Sequence, residues 1–297
     1  MTEELVSVVI PTYNRKKVGE TVKTVINQTY ENLEIIVVDD CSETPAKKRL
    51  EDIEDDRLQV FRHEENKNGA AARNTGIRNA KGDYVAFLDD DDTWKEQKIE
   101  RQINKLQEKG PSYGACYTWA ESRYNDRIEI LRSQKEGDIT GDVLLMNVDG
   151  SFGSTLTVES SIAKSIGGFD EGFDRHQDWE FLIRVLSETQ ICCVKEPLLI
   201  RDQRGGLTDT EVVIESKRKF LSKYSSQIKD TGLVASKKIY ARHYLEVAKI
   251  AMRNRDYLTG FRYYAKAISN YPFQNTKELA KPPYYFSRMI TIGFDNE

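Results

Sequence analysis

Four short apolar runs punctuate the first ninety residues: LVSVVI (5–10), LEIIVV (33–38), LQVF (58–61) and YVAFL (84–88). Near-continuous apolar runs of this length, rich in β-branched and aromatic residues, predict parallel strands buried on both faces. Between them the period changes. Val18, Val22, Val25 and Ile26 share one helical face, and Ala71, Ile77 and Ala80 help to line a later one. Strand–helix alternation of this kind implies right-handed crossovers and an α/β sheet. Such sheets bind their ligands at the carboxyl ends of the strands. Three strand ends here carry polar chemistry: PTYNR (11–15), DDCS (39–42) and DDDD (89–92).

After Thr93 the pattern is mixed. A helix is predicted from about Trp94 to Glu108, with Asp92 as its cap, then strands in YGACYTW, RIEILRS and STLTV. GGFDEGF (167–173) reads as a loop, and QDWEFLIRVL (177–186) has helical spacing with Trp179, Leu182, Ile183 and Leu186 on one side. From about Ser216 the chain reads as wholly helical, its two longest stretches forming a hairpin.

Charge divides the chain at the same place. Residues 1–215 carry 28 Lys and Arg against 42 Asp and Glu, while residues 216–297 carry 16 against 6. The acidic body and basic tail predict two modules, 1–215 and 216–297, with an anionic surface as one partner for the second. No apolar run approaches the roughly 20 residues needed to span a bilayer, and the acidic start lacks the basic region of a signal peptide. A cytoplasmic protein is the expectation, its basic helices meeting the inner face of a membrane. Cys41, Cys116, Cys192 and Cys193 form no CxxC pair and read as reduced thiols.

The four consecutive aspartates pose the sharpest question. Two unit charges about 4 Å apart repel by ~1 kcal/mol even in water, so a positive group is expected there. VSVVIPTYNR, IIVVDDCS, NGAAARNTGIRNAKGDYVAFLDDDD, GGFDEGF and QDWEFLIRV, in that order, resemble the successive motifs of family 2 glycosyltransferases with the GT-A fold. The resemblance covers roughly residues 5–205. It implies a Rossmann-like, mostly parallel sheet flanked by helices over 1–215, with 216–297 as a helical C-terminal extension.

It also implies roles. Pro11, Thr12, Tyr13 and Arg15 would meet the nucleotide, with Tyr13 as a stacking face. Of Asp39 and Asp40, Asp40 is favoured to accept from the base, a turn or N-cap before the helix near Pro45 being the lesser alternative for either. Asn68 and Arg73 lie at the next helix start, Arg73 facing a phosphate, the aspartates or both. Asp89, Asp90 and Asp91 fill the DXD positions. Asp91 and Asp89 would hold Mn2+ or Mg2+, and Asp90 the ribose or cation. Asp178 matches the catalytic base, with Glu180 or Asp174 next in line. Trp179, Arg201, Gln203 and Arg204 fall on the acceptor side, Gln203 standing where many relatives carry a histidine.

The function implied is inverting transfer of a sugar from a nucleotide diphosphate, in the UDP class, to a glycan or lipid-linked hydroxyl. Nothing points to nucleic acid. A nucleotidyltransferase and a non-catalytic sugar-nucleotide scaffold remain the alternatives. The first would want a glycine-rich basic loop after the first strand, which PTYNR is not.

Overall fold

The computed structural model describes residues 4–124, 127–202 and 208–273. These divide into two compact units, drawn from Met1–Thr140 with Val148–Arg204, and from Gly141–Asn147 with Gly205–Glu297.

The first unit is built on a curled nine-stranded sheet. Strands β1 (Val6–Thr12), β2 (Leu33–Asp39), β3 (Leu58–Arg62) and β4 (Tyr84–Phe87) are the four apolar runs of the sequence. Helices α1 (Val18–Ile26), α2 (Ala46–Arg49) and α3 (Gly69–Asn79) connect them. All seven residues of β1 and of β2 are buried, as two-sided burial requires. β1 runs parallel to both β2 and β4, so Val6 faces Leu33 on one side and Tyr84 on the other. The order β3-β2-β1-β4 reverses direction at β1. The crevice at such a reversal is where α/β sheets take ligands.

Helix α3 lies close on β1. A Cβ at Gly76 would come within 2.2 Å of a Val9 methyl, so only glycine lets helix and strand meet there.

Beyond β4 the sheet becomes mixed. β5 (Asp92–Trp94), α4 (Lys98–Lys109), β6 (Tyr113–Tyr124) and β7 (Arg127–Leu131) follow, then α5 (Thr140–Leu144), which falls almost wholly within the second unit, and α6 (Phe152–Thr155), β8 (Thr157–Glu159), α7 (Ser160–Ser165), α8 (Gln177–Leu186) and β9 (Gln190–Asp202). β8 runs antiparallel to β4 and β6, whereas β6 and β9 are parallel. The predicted helix at 94–108 begins later, at Lys98, with Gln97 before it. Residues 92–94 instead form β5, antiparallel to the end of β9. Asp92 therefore caps no helix. All four cysteines are free thiols.

The second unit is helical: α9 (Thr210–Lys223), α10 (Ser225–Asp230), α11 (Leu233–Arg253) and α12 (Tyr257–Asn270). Helix starts here before the predicted Ser216, because Asp209 accepts from the Glu211 and Val212 amides at 2.7 and 3.3 Å and caps α9. Asp256 caps α12 through the Thr259 amide. His243 is buried, stacks on Phe220 and donates from Nε2 to the Leu144 carbonyl at 2.9 Å. No described helix is long and apolar enough to cross a membrane.

Candidate active site

The reversal at β1 collects the three polar strand ends. After β4 the chain turns through Asp89–Asp92, closed by the Asp92 amide donating to the Asp89 carbonyl at 3.1 Å. The positive groups that four aspartates demand are two arginines. Arg15 donates from Nε to Asp90 Oδ1 at 3.2 Å, and its terminal nitrogen lies 3.1 Å from Asp91 Oδ2. Arg73, from α3, pairs with Asp89.

Each aspartate has its own surroundings. Asp90 is buried, and its Oδ2 accepts from the Thr12 hydroxyl at 2.6 Å and the Tyr13 amide at 3.3 Å. Burial raises its carboxyl above the ordinary aspartate value, against the pull of Thr12 and Arg15. Asp92 is buried too, and is pushed up to about 7 by desolvation and by the Asp89 charge. Asp89 and Asp91 stay open, with side chains 39% and 47% exposed.

Ser154 in α6 binds this turn together. Its hydroxyl donates to Asp92 Oδ2 at 2.6 Å and accepts from the Asp89 amide at 3.0 Å. Gly153 beside it makes room, since a Cβ there would lie 3.0 Å from Asp89 Oδ2. Sequence periodicity offers no handle on Ser154, because α6 spans only four residues.

Among the described residues, no three His, Cys, Asp or Glu side chains converge as a metal cage. The donor chemistry of the turn still fits a hard cation that draws part of its ligands from phosphate. Asp89 and Asp91 present only oxygen, and Mg2+ commonly takes one or two protein carboxylates plus phosphates.

The end of β2 turns inward. Asp39 is fully buried and accepts from the Ser42 and Ala46 amides at 2.8 Å each, and from Arg62 at 2.5 Å. These bonds hold it below the usual carboxylate range in spite of burial, so it serves the turn into α2. Asp40 is 3% exposed and accepts from His63 Nδ1 at 2.7 Å and from the Lys67 and Asn68 amides at 2.9 and 2.8 Å. The Thr75 hydroxyl lies 2.8 Å from His63 Nε2. Asn68 takes a left-handed backbone and caps α3, its Oδ1 accepting from Ala70 and Ala71. The His63–Thr75 support of Asp40 had no sequence signal. Pro11 is buried inside β1, whereas the Tyr13 ring is 52% exposed.

Arg73 links the acidic turn to α8. It donates to Gln177 Oε1 at 2.9 Å, and Gln177 Nε2 donates to the Phe173 carbonyl. Its Nε is buried without a hydrogen-bond partner among the described residues. Asn74, one residue on, anchors the GGFDEGF loop: it accepts from the Phe169 amide at 2.6 Å and donates to Phe169 O and Glu171 Oε1.

Asp178 stands in the first turn of α8. Desolvation raises its carboxyl above the ordinary value; Arg73 draws it down, Asp89 pushes it up, and the Trp179 and Asp178 amides draw it down. Asp178 thus feels both Arg73 and Asp89 across the crevice. Glu180, two residues on, is fully buried in an ion pair with Arg184. Trp179 is half-buried, its ring edge-on to Phe152 with centroids 5.6 Å apart. Arg201, on β9, donates to Ser151 Oγ at 3.3 Å. Gln203 and Arg204 lie outside the described residues.

Fold and comparisons converge on one class, an α/β glycosyltransferase with the GT-A fold. Residues 7–155 match the model described as "Glycosyl transferase family 2", and the chain belongs to that family. The Escherichia coli protein WfgD, a UDP-Glc:α-D-GlcNAc-diphosphoundecaprenol β-1,3-glucosyltransferase, is 35% identical over 197 residues, covering 65% of this chain and 74% of WfgD. Glycosyltransferase GlyG of Streptococcus pneumoniae is 43% identical over 128 residues, 41% of this chain; the match spans only 42% of GlyG. Among solved structures, residues 1–349 of Staphylococcus aureus TarS in complex with UDP-GlcNAc superpose with a TM-score of 0.61 at 17% identity. That likeness covers 90% of this chain and 89% of the other, and it concerns the fold.

Proposed function

We propose that this glycosyltransferase is an inverting enzyme, moving a sugar from a UDP-class donor to a hydroxyl of a cell-surface glycan or lipid-linked acceptor. The catalytic machinery is assigned to residues 1–215, with 216–297 as a helical extension. WfgD takes UDP-Glc and a diphosphoundecaprenol-linked acceptor, and this supports the donor and the acceptor class; work at the inner face of a membrane is part of the same proposal.

The observation that carries the reading is Asp178 in the first turn of α8, a carboxyl raised by desolvation and acted on by both Arg73 and Asp89. An inverting transfer needs one base to take the acceptor's proton as its oxygen attacks the anomeric carbon. Asp178 takes that proton. A carboxyl raised by desolvation is a stronger base than an ordinary aspartate, which suits it to accept that proton.

The rest of the crevice holds the donor. Tyr13 offers its exposed ring to the base, with Thr12 and Pro11 forming the floor. Asp40, held by His63 and two amides, contacts the base edge, and the Asp39 and Asn68 turns carry it. Arg15 and Arg73 move from the aspartates to the diphosphate, and the free Nε of Arg73 supplies one donor for this. Asp91 with Asp89 would hold Mn2+ or Mg2+, and the cation when bound neutralises charge on the departing diphosphate. Asp90 orients Thr12 and Arg15 toward the ribose. Trp179 and Arg201 flank the acceptor.

Incubation with Mn2+, a panel of UDP-sugars and a synthetic lipid-diphosphate-linked sugar tests the reading, with products analysed by mass spectrometry and anomeric NMR. A product of inverted configuration is expected. Retained configuration, a nucleotidylated product, or no transfer from any UDP-sugar would overturn it.

A further inference from the structure

The helical unit carries a half-open pocket of about 340 Å3 that sugar transfer leaves without a role. Three helix faces line it. Tyr240, Tyr244 and Val247 are spaced i, i+4, i+7 on α11; Lys217, Arg218 and Leu221 face it from α9; Tyr263 and Lys266 face it from α12. Stripes at this spacing normally pack as an apolar core. Here they bring together three cations and three phenol rings, and no carboxylate lines the space.

Of the three cations, Lys266 is held against the rings. Lys266 Nζ lies 4.6 Å from the Tyr263 ring centroid and 5.8 Å from that of Tyr244. Lys217 is 3% exposed, with Nζ 2.9 Å from the Met146 thioether, a weak acceptor. Arg218 pairs with Glu215 at the surface, and Lys217 acts on Glu246, but neither acid lines the cavity.

We infer that this cavity binds a small amphipathic organophosphate, its phosphate or diphosphate head between Arg218, Lys217 and Lys266 and its apolar part over the tyrosines, Leu221 and Val247. Arginine matches phosphate oxygens two at a time, and lysines add point charges. Arg218 and Lys217 already interact with Glu215 and Glu246, which lie outside the lining, so an anionic head would compete for them and add Lys266. The volume lies within the range of about 300–1,000 Å3 usual for small-molecule sites. A bare phosphate would leave most of it empty. Every lining residue belongs to the helical unit and none is assigned to donor binding, so the test is separable from that of sugar transfer.

Farnesyl diphosphate serves as the probe, titrated by calorimetry into the full chain with saturating UDP and Mn2+. Binding is expected to persist under UDP. Farnesol and inorganic pyrophosphate should each bind at least about tenfold more weakly, the loss of one charge-assisted or one apolar component. Arg218→Gln and Lys266→Gln should each weaken the probe by about tenfold, while Lys237→Gln, outside the cavity, leaves it unchanged. Unaltered helical circular dichroism and melting temperature verify that the variants fold. Displacement of the probe by UDP, or full binding by the Arg218→Gln/Lys266→Gln double variant, would overturn the inference. So would pyrophosphate binding as tightly as the probe. Phosphatidylglycerol vesicles that bind wild type and double variant alike, with no farnesyl diphosphate binding, would place the contact on the basic surface and overturn it as well.

Discussion

The Ser154 hydroxyl donates to Asp92 Oδ2 at 2.6 Å while accepting from the amide of Asp89 at 3.0 Å. One fully buried side chain thereby fixes both ends of the acidic turn from across the sheet. Ser154→Ala leaves a buried carboxylate and a backbone N–H without their partner. The cost of stranding such groups is about 1–3 kcal/mol, so the urea midpoint should fall accordingly. A variant as stable as wild type would show that the hydroxyl does not hold the turn.

Asp92 makes stability depend on pH. Its carboxyl titrates near 7 in the folded chain, against about 3.9 in an unfolded one. Between those values the folded state binds the extra proton, so stability falls as pH rises from about 4 to about 7. Asp92→Asn removes this contribution and should flatten the profile across that window, with the largest relative gain above pH 7. Asp90 and Asp178, also raised by burial, contribute in the same sense, so some slope should remain. Urea titrations at pH 4.5, 6 and 8 read the effect, and parallel profiles for variant and wild type would rule it out.

Arg15 occupies one carboxylate that the proposed cation needs, Asp91. Its terminal nitrogen lies 3.1 Å from Asp91 Oδ2, and the two side chains are each 47% exposed, so the pair is worth no more than about 1 kcal/mol. A divalent cation with a nucleotide diphosphate should displace it. Calorimetry with UDP should therefore show at least tenfold tighter binding with Mn2+ than with EDTA, a difference of ~1.4 kcal/mol. Arg15→Gln should raise Mn2+ affinity in the absence of nucleotide, as read by the paramagnetic resonance of free Mn2+. Equal UDP affinity with and without EDTA would remove the metal assignment.

These relationships mark where sequence reading reaches and where it stops. β1, β2 and β4 were legible because burial on both faces leaves an unbroken apolar run that no other element imitates. The polar strand ends were legible for the same reason, since Thr12, Asp39 and Asp89 are where each run stops. β5 was not. Three residues carry no period, and Asp92–Trp94 become a strand only because β9, more than a hundred residues later, pairs with them. The aspartates that looked equivalent in DDDD were separated by tertiary burial alone: Asp90 and Asp92 went inward, Asp89 and Asp91 stayed out. Ser154, His63 and Gln177 act through contacts 12 to 104 residues away in sequence, which no local pattern encodes.

Asp178 separates a helix-starting acid from a general base. If it only starts α8, Asp178→Asn should be nearly harmless, since Asn is accepted at helix starts. As the base, it loses its proton acceptor while keeping its size and much of its hydrogen bonding. General base catalysis is typically worth about 10²–10⁴-fold, so kcat should fall by at least about 10². Donor and Mn2+ binding should barely change, because those contacts come from other strand ends. Asp91→Asn should behave differently, weakening donor binding and turnover together. The pH–rate profile gives a second readout. Desolvation raises the Asp178 carboxyl, so activity should rise with pH along a limb lying above the ordinary aspartate value, and Asp178→Asn should abolish that limb. Near-normal transfer by Asp178→Asn would move the base elsewhere. Glu180 is tied up in its buried pair with Arg184, which leaves the exposed Asp174 as the residue to test next.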